Sequence, residues 1–173
     1  DQGYSGQLIE RRQKEIASVA HQLNMKTYKL EFPTTTLAPS NLQTLIPSIS
    51  QVFQETKPER VYVLNRSDAH SDHRVLFDAV MACTKSFRYP YLREVWMYEC
   101  ISETEFAPVL PEKVFLPNCY VDISVQMEEK IELMKIYKSE LGIHPFPRSE
   151  RNIKALATFR GATAGVEYAE AFQ

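Results

Sequence analysis

Two of the four histidines and two acids fall within Asp68-Ala69-His70-Ser71-Asp72-His73, a run that closes on Arg74. His70 and His73 are three positions apart, a separation that places both on one face where a helix begins. Asp72 gains from the positive field of a helix N-terminus, and the same field disfavours an imidazolium at His73. A neutral imidazole beside a carboxylate is what metal binding requires. The ring nitrogen must keep its lone pair, and a neighbouring acid fixes the tautomer. Histidines at this spacing also serve as helix caps or stand on surfaces, so the string alone leaves both readings open. His21 on a helix and His144 in a Pro-rich loop read as structural. Catalytic zinc takes three protein ligands plus a water, of which this segment offers one or two.

The elements that must position these residues follow from periodicity. Leu8, Ile9, Ile16, Val19, Ala20 and Leu23 recur at helical spacing, and Asn24 closes that helix. Thr27–Phe32 reads as a short strand stopped by Pro33, and Asn41 caps a second helix that runs to about Thr56 before Pro58. Arg60–Asn65 is a near-continuous apolar run of the kind found in buried parallel strands. A helix from Ser71 carries Val75, Leu76, Ala79, Val80 and Cys83. Strands are expected at Glu94–Cys100 and Cys119–Ile123, and helices at Met127–Leu141 and Glu150–Arg160. Strands alternating with helices imply βαβ units, hence an α/β layered sheet, mostly parallel. In such sheets ligands sit beyond the carboxyl ends of the strands, so Arg60–Asn65 aims the His/Asp run at the functional edge.

Composition narrows the class. The 173 residues carry a formal net charge of −2, with 44% apolar and 24% charged residues, ordinary for one globular domain. Near-neutrality argues against a nucleic-acid partner, whose footprint is a basic excess. No apolar run approaches the roughly 18 residues of a membrane span. An aromatic content of 11% does not belong to a disordered chain. Cys83, Cys100 and Cys119 are odd in number and form no C-x-x-C pair, which reads as reduced thiols of a cytoplasmic protein.

Four stretches together resemble the LmbE/PIG-L family of metal-dependent N-acetylglucosaminyl deacetylases. Gly3 to Leu23 is similar to its glycine-containing loop and R-x-x-E helix, here Arg12-Gln13-Lys14-Glu15. Asp68–Arg74 resembles its D-x-H-x-D-H-R motif, with Ser71 where proline is common. Val121-Asp122-Ile123-Ser124 with Lys130, Tyr137 and Ser139 is similar to its VDI(S/T) strand end and following helix. Gly161 with Glu167-Tyr168-Ala169-Glu170-Ala171-Phe172 resembles its C-terminal G…YAEAF signature.

The resemblance implies a single deacetylase domain over 1–173, with a Rossmann-like sheet and helices on both faces. It implies a zinc ion, for which iron is an accepted substitute at His/Asp sites. His73 would be a zinc ligand. His70, as imidazolium, would stabilise the developing oxyanion, and Asp72 would orient and charge-pair with His70. Arg12 would meet the sugar or the group attached to it. The implied partner is a small N-acetylated amino sugar or its conjugate, and the family also implies assembly into homo-oligomers. An (A/P)-H-P-D-D-E string, the family's source of two further zinc ligands and a general base, does not occur here. The sequence is therefore expected to begin about one βαβ unit, on the order of 30–45 residues, into the domain.

Plainer alternatives stand beside these. Arg12 is also readable as a solvated helix arginine paired with an acid. Tyr89, Tyr91, Trp96 and Tyr98 read as core and loop packing, and Lys130, Tyr137 and Ser139 as groups that fix a helix. For the whole chain the rivals are a non-catalytic sugar-binding or scaffold protein and an amidohydrolase of non-sugar or longer-acyl amides.

Overall fold

A computed structural model describes residues 6–32 and 35–173. The loop expected at Asp1–Ser5 and the strand stop at Pro33 lie outside the described residues. The helices are α1 (Gly6–Gln22), α2 (Leu42–Thr56), α3 (Ser71–Ala82), α4 (Met127–Ile136) and α5 (Glu150–Ala164). The strands are β1 (Arg60–Leu64), β2 (Glu94–Tyr98), β3 (Cys119–Asp122) and β4 (Ala169–Phe172). Two compact units share the chain, one formed by 1–28 and 122–169, the other by 29–121 and 170–173.

The second unit is built on an apolar stripe. Leu45, Ile49 and Phe53 recur every fourth residue along α2 and bury against Val75, Ala79 and Val80 of α3, its C-cap Cys83, and Val63 of β1. Side chains of this size each contribute roughly 1.5–3 kcal/mol when fully buried. Lys57 takes the left-handed conformation (φ 47°) and closes α2 with an N–H bond to the Phe53 carbonyl, just ahead of Pro58. Tyr89 joins the core and donates its hydroxyl to Ser50 Oγ at 2.7 Å. Tyr91 donates to the Phe53 carbonyl at 2.8 Å, so both rings are packing residues with satisfied tips. Burial pushes the Cys83 thiol up, which keeps it protonated and inert.

Thr27–Phe32 does not form the expected strand. Among the described residues it is assigned to no strand, and Glu31 at φ 56° turns the backbone out of strand geometry. Leu30 and Phe32 still pack on the core, which accounts for the apolar pattern.

The α/β class holds, but the sheet is mixed rather than mostly parallel. Its order is β1-β2-β4-β3. β1 and β2 are parallel, in register from Arg60↔Glu94 to Leu64↔Tyr98. β4 runs antiparallel to β2, and Met97 and Gln173 exchange both backbone hydrogen bonds at 2.8 and 2.9 Å. The cause is in the element order. One helix between strands returns the chain to its starting end and gives a parallel pair, as α3 does between β1 and β2. Two helices, α4 and α5, separate β3 from β4, and the chain re-enters in the opposite sense.

In the first unit α1 packs against α4. Among the described residues its buried apolar residues are Val19, Ala20, Ile123, Met127, Ile131, Ile153, Ala157 and Ala169. The expected helix over Met127–Leu141 stops at Ile136, where Tyr137 leaves helical geometry (φ −80°, ψ 69°). The last helix continues past the expected stop at Arg160, with Gly161 inside it and Gly165 (φ 76°) ending it. Among the described residues no helix is long and apolar enough to cross a membrane.

Gly161 is required by close approach. A Cβ there would meet the Val166 and Glu167 carbonyl oxygens at 2.7 and 2.5 Å. Gly161→Ala is expected to cost about 1–3 kcal/mol of stability through a forced backbone shift. Gly165→Ala, strained only by its positive φ, should cost about 1–2 kcal/mol. Gly161→Val should worsen the first loss sharply while Gly165→Asn, a residue tolerant of this conformation, should soften the second. Urea denaturation of the four variants checks this ranking.

Candidate metal and oxyanion site

The site forms where β1 runs out. Asn65 N–H bonds the Tyr98 carbonyl at 3.0 Å and extends the parallel ladder by one step, and Asp68 N–H turns back to the Asn65 carbonyl at 3.3 Å. This short turn carries Asp68 into complete burial. Arg74 Nη1 donates to the Asp68 and Ala69 carbonyls, both at 2.7 Å, and pins the turn to the first helical residues.

His70 is the N-cap of α3, with extended backbone (φ −68°, ψ 125°). Its Nδ1 accepts the Asp72 backbone N–H at 3.1 Å, satisfying one of the donors that a helix start leaves open. The ring proton is then on Nε2. The cap reading and the functional reading therefore meet in one residue. The Asp72 carboxylate accepts the Thr35 and Leu37 N–H groups at 2.7 and 3.2 Å, which fastens the preceding loop to the helix start. Asp72 meets His70 through its backbone N–H.

His73 sits one turn on, its ring stacked on that of His70 with centroids 4.9 Å apart and planes at 18°. His73 Nδ1 lies 2.9 Å from Asp68 Oδ2, and Asp68 Oδ1 accepts the Thr104 hydroxyl at 2.7 Å. An ionised carboxylate only accepts, so a neutral His73 in this contact would carry its proton on Nδ1 and leave the Nε2 lone pair available. The stacked pair is complementary: one ring offers a lone pair at Nε2, the other an N–H.

Asp68, His73 and Cys100 each bring one ligand atom to within 4.8 Å of the others, an oxygen, nitrogen and sulfur set able to hold a metal ion. Both Asp68 oxygens are already engaged, so this carboxylate serves His73 as a neighbour in hydrogen bonding, and the donor set suits a borderline cation through the His73 ring. Tyr98 stands close by. Burial raises its hydroxyl to about 12, with the nearby Cys100 and Asp68 adding to the effect, so it remains a phenol.

The structure thus brings together His70, Asp72 and His73. Arg12 belongs to the other unit. There its guanidinium pairs with Glu140, donates to Ser139 Oγ at 2.9 Å, lies 3.7 Å from Glu15 Oε2, and sits 5.3 Å from the Tyr137 ring centroid. Arg148 reaches the same Glu140 at 3.0 Å. Tyr137, Ser139 and both members of the R-x-x-E pair therefore form one ionic knot that ties α1 to the turn after α4. Sequence reasoning left Asp68 without a role and read Cys100 only as a reduced thiol. Asp68 opens the D-x-H-x-D-H-R string, which is a signal. Thr104 carries none.

Comparison with known proteins agrees with the resemblance to the LmbE/PIG-L family. The PIG-L family model, described as GlcNAc-PI de-N-acetylase, matches residues 1–84. No curated protein matches the chain in a sequence search. A conserved protein of Thermus thermophilus superposes with a TM-score of 0.73 at 22% identity, over 94% of this chain and 72% of its own. The N,N'-diacetylchitobiose deacetylase of Pyrococcus horikoshii gives 0.72 at 21% identity, over 100% of this chain and 66% of its own. The 4-carboxy-2-hydroxymuconate hydratase of Pseudomonas putida gives 0.61 at 17% identity, over 100% and 75%. These likenesses establish the fold.

The cap role of His70 is separable from any chemistry. His70→Ala is expected to lose about 1 kcal/mol with the N-cap, whereas His70→Asn, a strong capping residue, should stay within a few tenths of the parent in thermal or urea denaturation.

Proposed function

We propose that this LmbE/PIG-L-like chain belongs to a zinc-dependent hydrolase domain that removes the N-acetyl group from an amino sugar or its conjugate. The observation that carries the reading is the stacked histidine pair at the start of α3, with each Nδ1 already engaged, one by Asp68 and the other by the helix cap. Asp68 leaves His73 Nε2 open for a metal, and His70 presents an N–H beside it. The family match over residues 1–84 and the deacetylase among the structural neighbours support the choice of amide hydrolysis.

His73 would be this segment's ligand to the metal, and iron suits the same donors. When bound, the ion supplies a water whose pKa is brought near 7 and a Lewis acid for the amide carbonyl. The chain's own residues do the rest. Asp68 holds the His73 ring in one tautomer and one orientation. His70 Nε2–H donates to the carbonyl oxygen as it becomes anionic, and the α3 cap bond fixes that ring without drawing on its donor. Asp72 holds residues 35–37 against the helix start, which shapes the approach to His70. Arg12, if it also meets the sugar, must share its guanidinium with Glu140.

His73→Ala in the full-length protein is expected to abolish zinc binding. His70→Asn should keep both the cap and the zinc while kcat for acetate release falls about 10²–10³-fold, the usual cost of losing one oxyanion donor. Metal analysis and acetate assays on a panel of N-acetylated amino sugars, plain acetamides and longer-acyl amides test both statements. A zinc-loaded protein that releases acetate only from non-sugar amides would move the substrate class. Absence of zinc with binding of the sugars would favour the sugar-binding alternative.

A further inference from the structure

The loop after β2 adds a group that none of the motifs marks. Cys100 N–H donates to Thr104 Oγ1 at 2.7 Å, and Thr104 Oγ1 donates to Asp68 Oδ1 at 2.7 Å. A backbone N–H can only donate, so the Thr104 oxygen accepts there and its single proton is left for the carboxylate. This fixes the polarity of a four-member chain that runs from Cys100 N–H through Thr104 and Asp68 to His73 Nδ1–H. With Oδ1 held by a proton donor, Oδ2 is the oxygen that faces His73, at 2.9 Å. The loop is held in place for this. Ala69 N–H donates to the Glu103 carbonyl at 3.1 Å, and Glu103 and Thr104 N–H both turn back to the Cys100 carbonyl at 3.0 and 2.9 Å.

We infer that Thr104 is a positioning residue of the site, whose hydroxyl anchors Asp68 Oδ1 and so keeps the carboxylate turned with Oδ2 on His73 Nδ1, which holds the His73 ring in one tautomer. The inference rests on the metal-dependent reading for what Nε2 then binds, but the tautomer it predicts exists with or without a metal. A valine at this position has nearly the same shape and no hydroxyl. It leaves the buried Asp68 Oδ1 and the Cys100 N–H without the partner that joins them, and a carboxylate released at Oδ1 is free to turn away from His73 Nδ1, so that the ring is no longer held in one tautomer. A serine restores the hydroxyl and removes only a methyl group.

The test reads the ring directly. Nitrogen NMR of labelled histidine in the metal-free full chain should show His73 as a single Nδ1–H tautomer in the parent and in Thr104→Ser. Thr104→Val should show a mixture of tautomers. Should the valine variant not fold, Thr104→Ala gives the same readout with less crowding. In parallel, zinc affinity by chelator competition should fall about 10–100-fold in Thr104→Val and recover in Thr104→Ser, the range seen when a group behind a metal-bound histidine is lost. A His73 ring that stays wholly Nδ1–H in the variant lacking the hydroxyl overturns the inference, whatever the zinc result. A tautomer shift in a protein whose parent binds no zinc would uphold Thr104 and bring down the metal-dependent reading instead.

Discussion

The contact between the Asp68 carboxylate and the His73 ring constrains everything around it. Asp68 has no solvent exposure, and a buried carboxylate without partners is unfavourable by several kcal/mol. It persists because each oxygen is met, one by Thr104 and the other by His73. A hydrogen bond to a buried charged group is worth about 1.5–3 kcal/mol, so the contact is structural before it is chemical. It depends on the parallel pairing of β1 and β2. The turn carrying Asp68 leaves β1 and the loop carrying Thr104 leaves β2, and only strands that end on the same side bring the two together.

The fold supplies the place, and the side chains supply the chemistry. Among the proteins that superpose on this chain, one is a deacetylase and another a hydratase. The shared sheet does not choose between them. In the proposed reading, the two stacked imidazoles divide the tasks of meeting the substrate oxygen and holding the metal. His70 spends its Nδ1 on the helix cap and keeps Nε2–H for a ligand, while His73 spends its Nδ1–H on Asp68 and keeps Nε2 for a cation.

Much of this was legible in the amino-acid sequence because it is local. Leu45, Ile49 and Phe53 announce α2 by their spacing, and the acidic first turn of α3 marks a helix start on which His70 and His73 share a face. Other features depend on contacts across long separations, which no window records. Thr104 lies 36 positions from Asp68 on an irregular loop, and nothing in its neighbours distinguishes it from any surface threonine. Thr27–Phe32 has strand composition but is assigned to no strand among the described residues, and its Leu30 and Phe32 pack on the core of the second unit instead. The antiparallel entry of β4 follows from counting two successive helices, not from any property of Ala169–Phe172 itself. Arg12 shows the opposite limit. The pattern R-x-x-E was visible, but its ionic partner Glu140 lies 128 positions away and gives the arginine a structural occupation that the motif does not reveal.

In the proposed reading, Asp68 sets the His73 tautomer and so makes a metal ligand of it. Asp68→Asn tests this with little change of shape. With the Asn carbonyl accepting from Thr104, its amide would donate to His73 Nδ1 and force the proton onto Nε2, the wrong nitrogen for a ligand. The account predicts a zinc dissociation constant at least 10–100-fold weaker than that of the parent, measured by chelator competition on folded protein. A variant that folds and holds zinc as tightly as the parent would contradict it.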